Sequence, residues 1–357
     1  MFEEEIEGKG EDFKLNTTDL RILEAMHDLQ DQRISSIVGK TGLSEVTVKR
    51  RLRNLRKRKL FAKKYVVNFW RMSLIPLMIV GQDLLEDVDQ KLLSSYCRFI
   101  RSVMGSVPYD IFDLIVPAKK LGDILEYFYG SFKNVEAYFI KSFHKSVSFR
   151  FYDVVKNTWK IDYFSLALYI REIMVKEGYI DILKQTSPIK TIIEKSPSRS
   201  IKLSNRRIET ILSFKAFSDK RSSPLTLGVG GSKYTFYRIK SELVTLNSLR
   251  TFIDVYPPKL VEKLFLIIEK CDEHFLEALL LGLSELPSLV FYKANKMGIS
   301  GEFVNENVTI VRLELPEGGF TRFLENFTKM LIEKTDFKLY LETEVLTPSV
   351  NGGRIAR

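Results

Sequence analysis

Only two cysteines and three histidines occur in the 357 residues. That scarcity excludes a disulfide framework and leaves little from which to build a protein-only metal cluster. Long apolar runs are missing too: the longest, such as 72–81 around Pro76, are about half of what a membrane-spanning helix requires. The opening MFEEEIEGKGEDFK is acidic and has no apolar centre, so no secretory signal is expected. Hydrophobic residues at 45% and charged residues at 28% are globular values and exclude disorder throughout. The expectation is a soluble cytoplasmic protein of two to four domains, with no cofactor and no membrane partner.

Acidic residues are absent from one particular stretch. Between Val46 and Gln82 stand eleven basic residues and no acid: Lys49, Arg50, Arg51, Arg53, Arg56, Lys57, Arg58, Lys59, Lys63, Lys64 and Arg71. The formal net charge is +10, and without these eleven the chain holds 44 basic and 45 acidic residues. The whole positive excess therefore sits in 37 residues. A solvated helix face normally mixes both signs, so this concentration points to a polyanionic partner.

Local patterns give that stretch a shape. Asn16-Thr17-Thr18-Asp19 has the spacing of a capping box, and Leu20, Ile22, Leu23 and Met26 form the apolar stripe of a helix ending near Asp28. A short helix with Ile34, Ile37 and Val38 inward stops near Lys40, and Gly42 suits the turn that follows. Ser44 can cap a third helix from Glu45 to about Lys59, with Val48, Leu52 and Leu55 inward at i, i+4 and i+7. Phe61–Phe69 reads as a strand or small wing, which predicts a winged helix-turn-helix over 15–72 behind an acidic tail, 1–14.

Over 73–160 the order reads β-α-β-β-α-β, a ferredoxin-like split unit: strands at Leu77–Val80, near Arg101–Val107, at Ile111–Val116 and at Val135–Ile140, with helices over Asp83–Ile100 and Lys119–Tyr129. Ile161–Leu183 reads as one long helix, and Gln185–Lys202, rich in Ser, Thr and Lys with two prolines, as a linker; together they make a helix-and-linker segment over 161–202.

The pattern then returns at an offset of 188. Thr47-Val48-Lys49-Arg50 answers to Thr235-Phe236-Tyr237-Arg238, Leu55 to Leu243, and Leu15-Asn16 to Leu203-Ser204. Leu264–Ile268, Glu273–Leu283, Thr309–Leu315, Phe320–Ile332 and Phe337–Leu341 repeat the strand and helix order. The fold class is α+β: a winged helix-turn-helix and a ferredoxin-like domain, the pair duplicated at 203–258 and 259–346, with a tail at 347–357.

The segment LNTTDLRILEAMHDLQDQRISSIVGKTGLSEVTVKRRLRNLRKRKLF resembles the amino-terminal domain of the Lrp/AsnC (feast/famine) transcription regulators, through Leu43-Ser44, Thr47-Val48, Arg50-Arg51 and Leu55 with Leu15, Asp19, Ile22 and Leu23 upstream. The resemblance is good over about 13–145 and faint over 203–345, in a tandem version that the Lys- and Ile-rich composition reads as archaeal-type. It implies a cytoplasmic regulator of transcription that binds double-stranded DNA. It also implies self-association, within the chain as a pseudo-dimer and between chains as a homodimer. That family's Gly-x-x-Asp effector signature has its counterpart in GSVPYD, where Gly105 and Asp110 are too far apart and Val107 stands where Gly is expected. A small-molecule effector on Gly105 and Asp110 is therefore an open expectation, beside a plain turn-capping role for Asp110.

On the third helix, Thr47, Arg50, Arg51 and Asn54 are expected to face the major groove at i, i+3, i+4 and i+7. Ser44 and the first amides, at Glu45 and Val46, would dock a phosphate; Lys49, Arg53, Lys57, Lys63 and Lys64 would flank it. In the second copy, Ser232, Lys233, Thr235, Tyr237 and Arg238 are the counterparts, with five bases and two acids over Ser232–Leu260 and hence a lower affinity. The glycine turn before it, Gly228–Lys233, lacks the adjacent Gly-Lys and the preceding strand of a P-loop.

No nucleophile–base constellation is visible. Cys271 and His274 are one helical turn apart, but Cys97, His27 and His144 add no ligand spacing. The siroheme decarboxylases resemble Lrp/AsnC proteins in architecture and offer an enzyme reading, which would draw on His144 and Arg150. An RNA-binding or architectural role would draw on Tyr65, Phe69 and Trp70 for base stacking. The first expectation is a DNA-binding protein and not an enzyme.

Overall fold

A computed structural model describes residues 14–176, 178–195, 238, 241, 245 and 249–346. Three helices open it: α1 (Thr17–Leu29), α2 (Ile34–Thr41) and α3 (Glu45–Lys57). Asn16 and Asp19 form a reciprocal capping box at the start of α1. At the end of α2, Gly42 adopts φ 67°, a left-handed turn that costs glycine little, and its N–H donates to the Val38 carbonyl. That turn swings α3 across α1. Ile22, Leu23, Met26, Ile37, Val48 and Leu55 then share one buried centre.

Strand β1 (Phe61–Val67) follows. It does not turn back on itself as a wing; it pairs antiparallel with β9 (Leu249–Val255). The central pair is Lys64 with Phe252, and Phe61 and Val67 lie opposite Val255 and Leu249. All three follow the 188-residue offset, so the ribbon has a pseudo-two-fold axis through its middle. Its inner side is apolar at Phe61, Val67, Leu249, Ile253 and Val255, all buried.

The first β-α-β-β-α-β unit comprises β2 (Leu74–Gly81), α4 (Leu84–Asp87), α5 (Gln90–Tyr96), β3 (Cys97–Met104), β4 (Pro108–Pro117), α6 (Leu121–Ser131) and β5 (Glu136–Val147). The single helix expected over 83–100 is thus two short helices, and the strand starts at Cys97. Val88 is extended between the helices, and Cys97 and Ile100 are drawn into the sheet core. A two-stranded ribbon, β6 (Tyr152–Asp153) with β7 (Thr158–Trp159), leads to α7 (Tyr163–Val175) and α8 (Tyr179–Thr186). The long helix expected over 161–183 is therefore broken: α7 stops before Lys176, which is extended, and Gly178, with a φ of 72°, opens α8. The linker expected at 185–202 contains β8 (Lys190–Glu194), which pairs with β5 because Ile192 and Ile193 are apolar enough to bury there.

The second unit comprises β10 (Glu262–Cys271), α9 (Glu273–Leu283), β11 (Ser288–Met297), β12 (Phe303–Leu315), α10 (Gly319–Lys334) and β13 (Thr335–Leu346). Its strand order, β11-β12-β10-β13, mirrors β3-β4-β2-β5 of the first. The units join twice, β13 on β3 and β5 on β11, so eight antiparallel strands close into a ring with β8 attached outside. Closure removes most of the edges that would otherwise invite another strand, and β8 covers the one that β5 keeps beyond the end of β2. Strand alternation sends Met78, Val80, Tyr138, Phe265, Ile267 and Tyr340 into one interior shared by both units. The opposite faces pack on helices: Leu77, Ile79 and Phe112 on Leu125 and Phe128 of α6, and Leu264, Leu266 and Leu313 against α9, α10 and α7.

This is an α+β molecule built around a large antiparallel sheet. No described helix is long and apolar enough to cross a membrane.

Candidate nucleic-acid interface

Helix α3 is held by its inner seam. Val48 and Leu55 are buried and Leu52 half-buried, which leaves the opposite stripe in solvent. Ser44 caps the helix, accepting from the Thr47 N–H at 3.3 Å while its hydroxyl lies 2.9 Å from Thr47 Oγ1. Val46, Arg50, Arg53, Asn54 and Lys57 are all exposed along the outer stripe. Among the described residues, Arg50, Arg53 and Lys57 have no carboxylate partner. Like charges three and four apart destabilise a helix by only about 0.2–0.5 kcal/mol per pair, so the fold tolerates this cluster at small cost.

Flanking cations are lightly tied. Lys49 pairs with Glu45 at 2.5 Å, exposed on both sides and thus weak. Arg56 donates to the Gln32 side chain at 2.9 Å and lies over the Phe61 ring. Arg58 and Lys59 are exposed at the helix end, where cations suit the dipole. Lys63 is half-buried on β1.

Two of the expected contact residues turn the other way. Arg51 is only 28% exposed and reaches back to Asp19, 3.6 Å away, whose carboxylate is buried in the capping box. The reason is helical phase: at 3.6 residues per turn, Arg51 flanks the seam made by Val48, Leu52 and Leu55. Lys64 pairs with buried Asp254 across the ribbon at 2.5 Å, and Lys145 from β5 bonds the other oxygen. Burial alone would raise the Asp254 carboxyl; the charges of Lys145 and Lys64 overcome that and hold it well below the usual range. The Tyr256 ring lies beside both ammonium groups. This cluster clamps the β1–β9 ribbon onto the closed sheet, so Lys64 belongs to the scaffold and not to a phosphate contact.

The Val46 amide is expected at a phosphate, but its side chain is not among the expected groove-facing ones. It is 77% exposed on the first turn of α3, an apolar side chain left in water beside Arg50. The signal was available in the same phase arithmetic, since positions 46, 50, 53 and 57 all oppose the seam.

In the second copy, Ser232, Lys233, Thr235 and Tyr237 lie outside the described residues. Arg238 is helical and exposed, as are Ser241 and Thr245. The aromatics by the ribbon are mostly packed: Phe69 is buried and Trp70 half-buried against the first unit's helices.

The expected effector residues, Gly105 and Asp110, both contact other parts of the fold. Gly105 sits in the β3–β4 turn, where an added Cβ would meet the Tyr340 ring at 3.0 Å. The buried Asp110 carboxylate, within β4, accepts from the Leu85 N–H at the start of α4 and from Ser102 Oγ on β3, both at 3.0 Å.

His144 is buried in the sheet. It stacks on Phe291 at 4.4 Å and lies 2.7 Å from Ser142 Oγ and 3.1 Å from Thr191 Oγ1. Burial lowers its pKa to about 4. Arg150 is engaged elsewhere, 3.1 Å from Glu285 and over Phe151 and Tyr169. His274 bonds the Met174 carbonyl, and burial pushes the Cys271 thiol up to about 11. Among the described residues, no three His, Cys, Asp or Glu side chains are placed to hold a metal ion.

No protein-family model matches the chain, and no curated protein matches it. Among solved structures, the siroheme decarboxylase NirDL is similar over 92% of both chains, at 12% identity and a TM-score of 0.43. The same enzyme in complex with an iron-uroporphyrin III analogue gives 10% identity and 0.42, again over 92% of both chains. Values this low assign neither ligand nor chemistry to the present chain.

Proposed function

We propose that the protein is a regulator that binds double-stranded DNA with α3 in the major groove, as the resemblance to the Lrp/AsnC regulators implies. The observation that carries the reading is the outer stripe of α3. Arg50, Arg53 and Lys57 face solvent without carboxylate partners among the described residues, on a helix anchored from behind and reached through a tight turn.

Arg50 offers a planar fork suited to guanine O6 and N7, Asn54 an amide suited to adenine, and Val46 an apolar contact for a thymine methyl. Arg53, Lys57, Lys49 and Arg56 neutralise phosphates and set the register. The free amides at the start of α3 and its positive dipole end suit one more phosphate beside Ser44. The ribbon and its Asp254 clamp hold the reading helix at a fixed place on the closed double unit.

Fluorescence anisotropy with labelled duplex DNA and with structured RNA, at one salt concentration, tests this. The duplex is expected to bind more tightly, and Arg50→Glu with Arg53→Glu to lose at least a hundredfold. Equal or tighter binding of the RNA, or no effect of the two reversals, would refute the reading.

A further inference from the structure

The duplication sets up a comparison within one chain. In a symmetric dimer both reading helices carry the same side chains, and the DNA site is correspondingly palindromic. Here the two copies share one polypeptide, and each has been free to change. The offset of 188 holds through the ribbon, where Lys64 faces Phe252. Carried back to α3, it matches Arg50, Arg53 and Lys57 with Arg238, Ser241 and Thr245.

Those three second-copy residues are helical and exposed, at the same i, i+3, i+7 spacing as the first. They present one cation where α3 presents three. The Thr245 hydroxyl bonds the Ser241 carbonyl at 3.0 Å, so it is turned onto its own helix. By sequence, Asn54 is replaced by Glu242 and Arg56 by Val244. Across 49–59 there are eight bases and no acid; across 237–247 there are two bases and one acid. A carboxylate in place of the adenine-reading amide adds negative charge towards a polyanionic partner, where like charge repels.

We propose that each chain reads DNA with α3 alone and takes a single, asymmetric half-site, its second copy making no base or phosphate contact. This rests on the DNA-binding reading above and specifies the form of the partner. The closed pair of sheet units then acts as a carrier for one reading head.

The test is selection of binding sites from random duplex DNA by the full-length chain, followed by titration to count chains per site. Expected is a lone non-palindromic half-site, or two half-sites each filled by a separate chain. An inverted repeat filled by one chain, with centres one helical turn of about 10 base pairs or a multiple apart, would overturn the proposal. Ser241→Glu with Thr245→Glu should change affinity less than twofold; a tenfold loss would overturn it. Conversely, Ser241→Arg, Glu242→Asn and Thr245→Lys together restore the α3 stripe and should gain at least tenfold on an inverted repeat, with no gain on a half-site. Failure of the parent reading looks different: the wild-type chain would then enrich no duplex at all, and this inference would fall with it.

Discussion

Arg51 reaches back to Asp19 across the three-helix unit, 3.6 Å from a buried carboxylate, while its neighbour Arg50 points into solvent. Two adjacent arginines in one basic run thus have different work. Arg51→Glu sets two carboxylates together and should lower stability towards the about 3–5 kcal/mol of a broken buried pair, reduced because Arg51 is partly exposed. Arg50→Glu should leave the melting temperature within a degree or two. Thermal unfolding of both variants checks the contrast, and equal losses would contradict it.

Asp254 holds two ammonium groups, Lys64 and Lys145, between the ribbon and the sheet. Asp254→Asn leaves Lys145 buried without an anion and should cost about 3–5 kcal/mol. Lys64→Met should cost far less, because Lys145 still neutralises the carboxylate. Urea unfolding of the two variants measures the difference.

His27 and His144 share a consequence for pH. Burial lowers both to about 4, and His27 also bonds the Pro188 carbonyl at 2.8 Å. When unfolded, each takes up its proton near pH 6.5. Between those values the unfolded state binds more protons, so stability falls as the pH drops from 6.5 towards 4. From pH 7 to 5 the loss is about 2 kcal/mol per histidine. Glu24 and Asp110, raised by burial, act in the opposite direction. Comparing the wild type with His144→Gln at both pH values isolates one histidine: the variant should lose about 2 kcal/mol less.

Gly282 lies where α9 crosses α7, and a Cβ there would sit 2.1 Å from Ile170 Cγ1. Gly282→Ala should destabilise by about 1–3 kcal/mol through overpacking. Adding Ile170→Ala should recover part of that loss, because the clash is with that side chain. Strict additivity in the double-mutant cycle would place the strain elsewhere.

Much of this architecture is written in local patterns. Asn16 and Asp19 announced the first helix, Gly42 the turn, and the 188-residue offset the duplication that the β1–β9 ribbon displays in its register. What escaped was decided by tertiary context. Ile192 and Ile193 form a strand between two prolines only because β5 offers an edge. Lys176 is extended and Gly178 opens a new helix where apolar spacing would have continued the old one. In the candidate site, the run of bases was visible, but its division into outward and inward cations depended on the phase of three leucine and valine anchors. The partner of Lys64 stands 190 positions away, so nothing near Lys64 in the chain could have named it.

The most direct measurement is the salt dependence of duplex binding by the wild-type chain and by Arg50→Gln with Arg53→Gln. With about four or five phosphates neutralised by α3 and its flanks, log K should fall against log salt with a slope of about −4. The paired substitution should flatten that slope by about 2 if both arginines meet phosphates, and by about 1 if Arg50 meets only a base. A slope near zero, or one that the substitutions leave unchanged, would contradict the account.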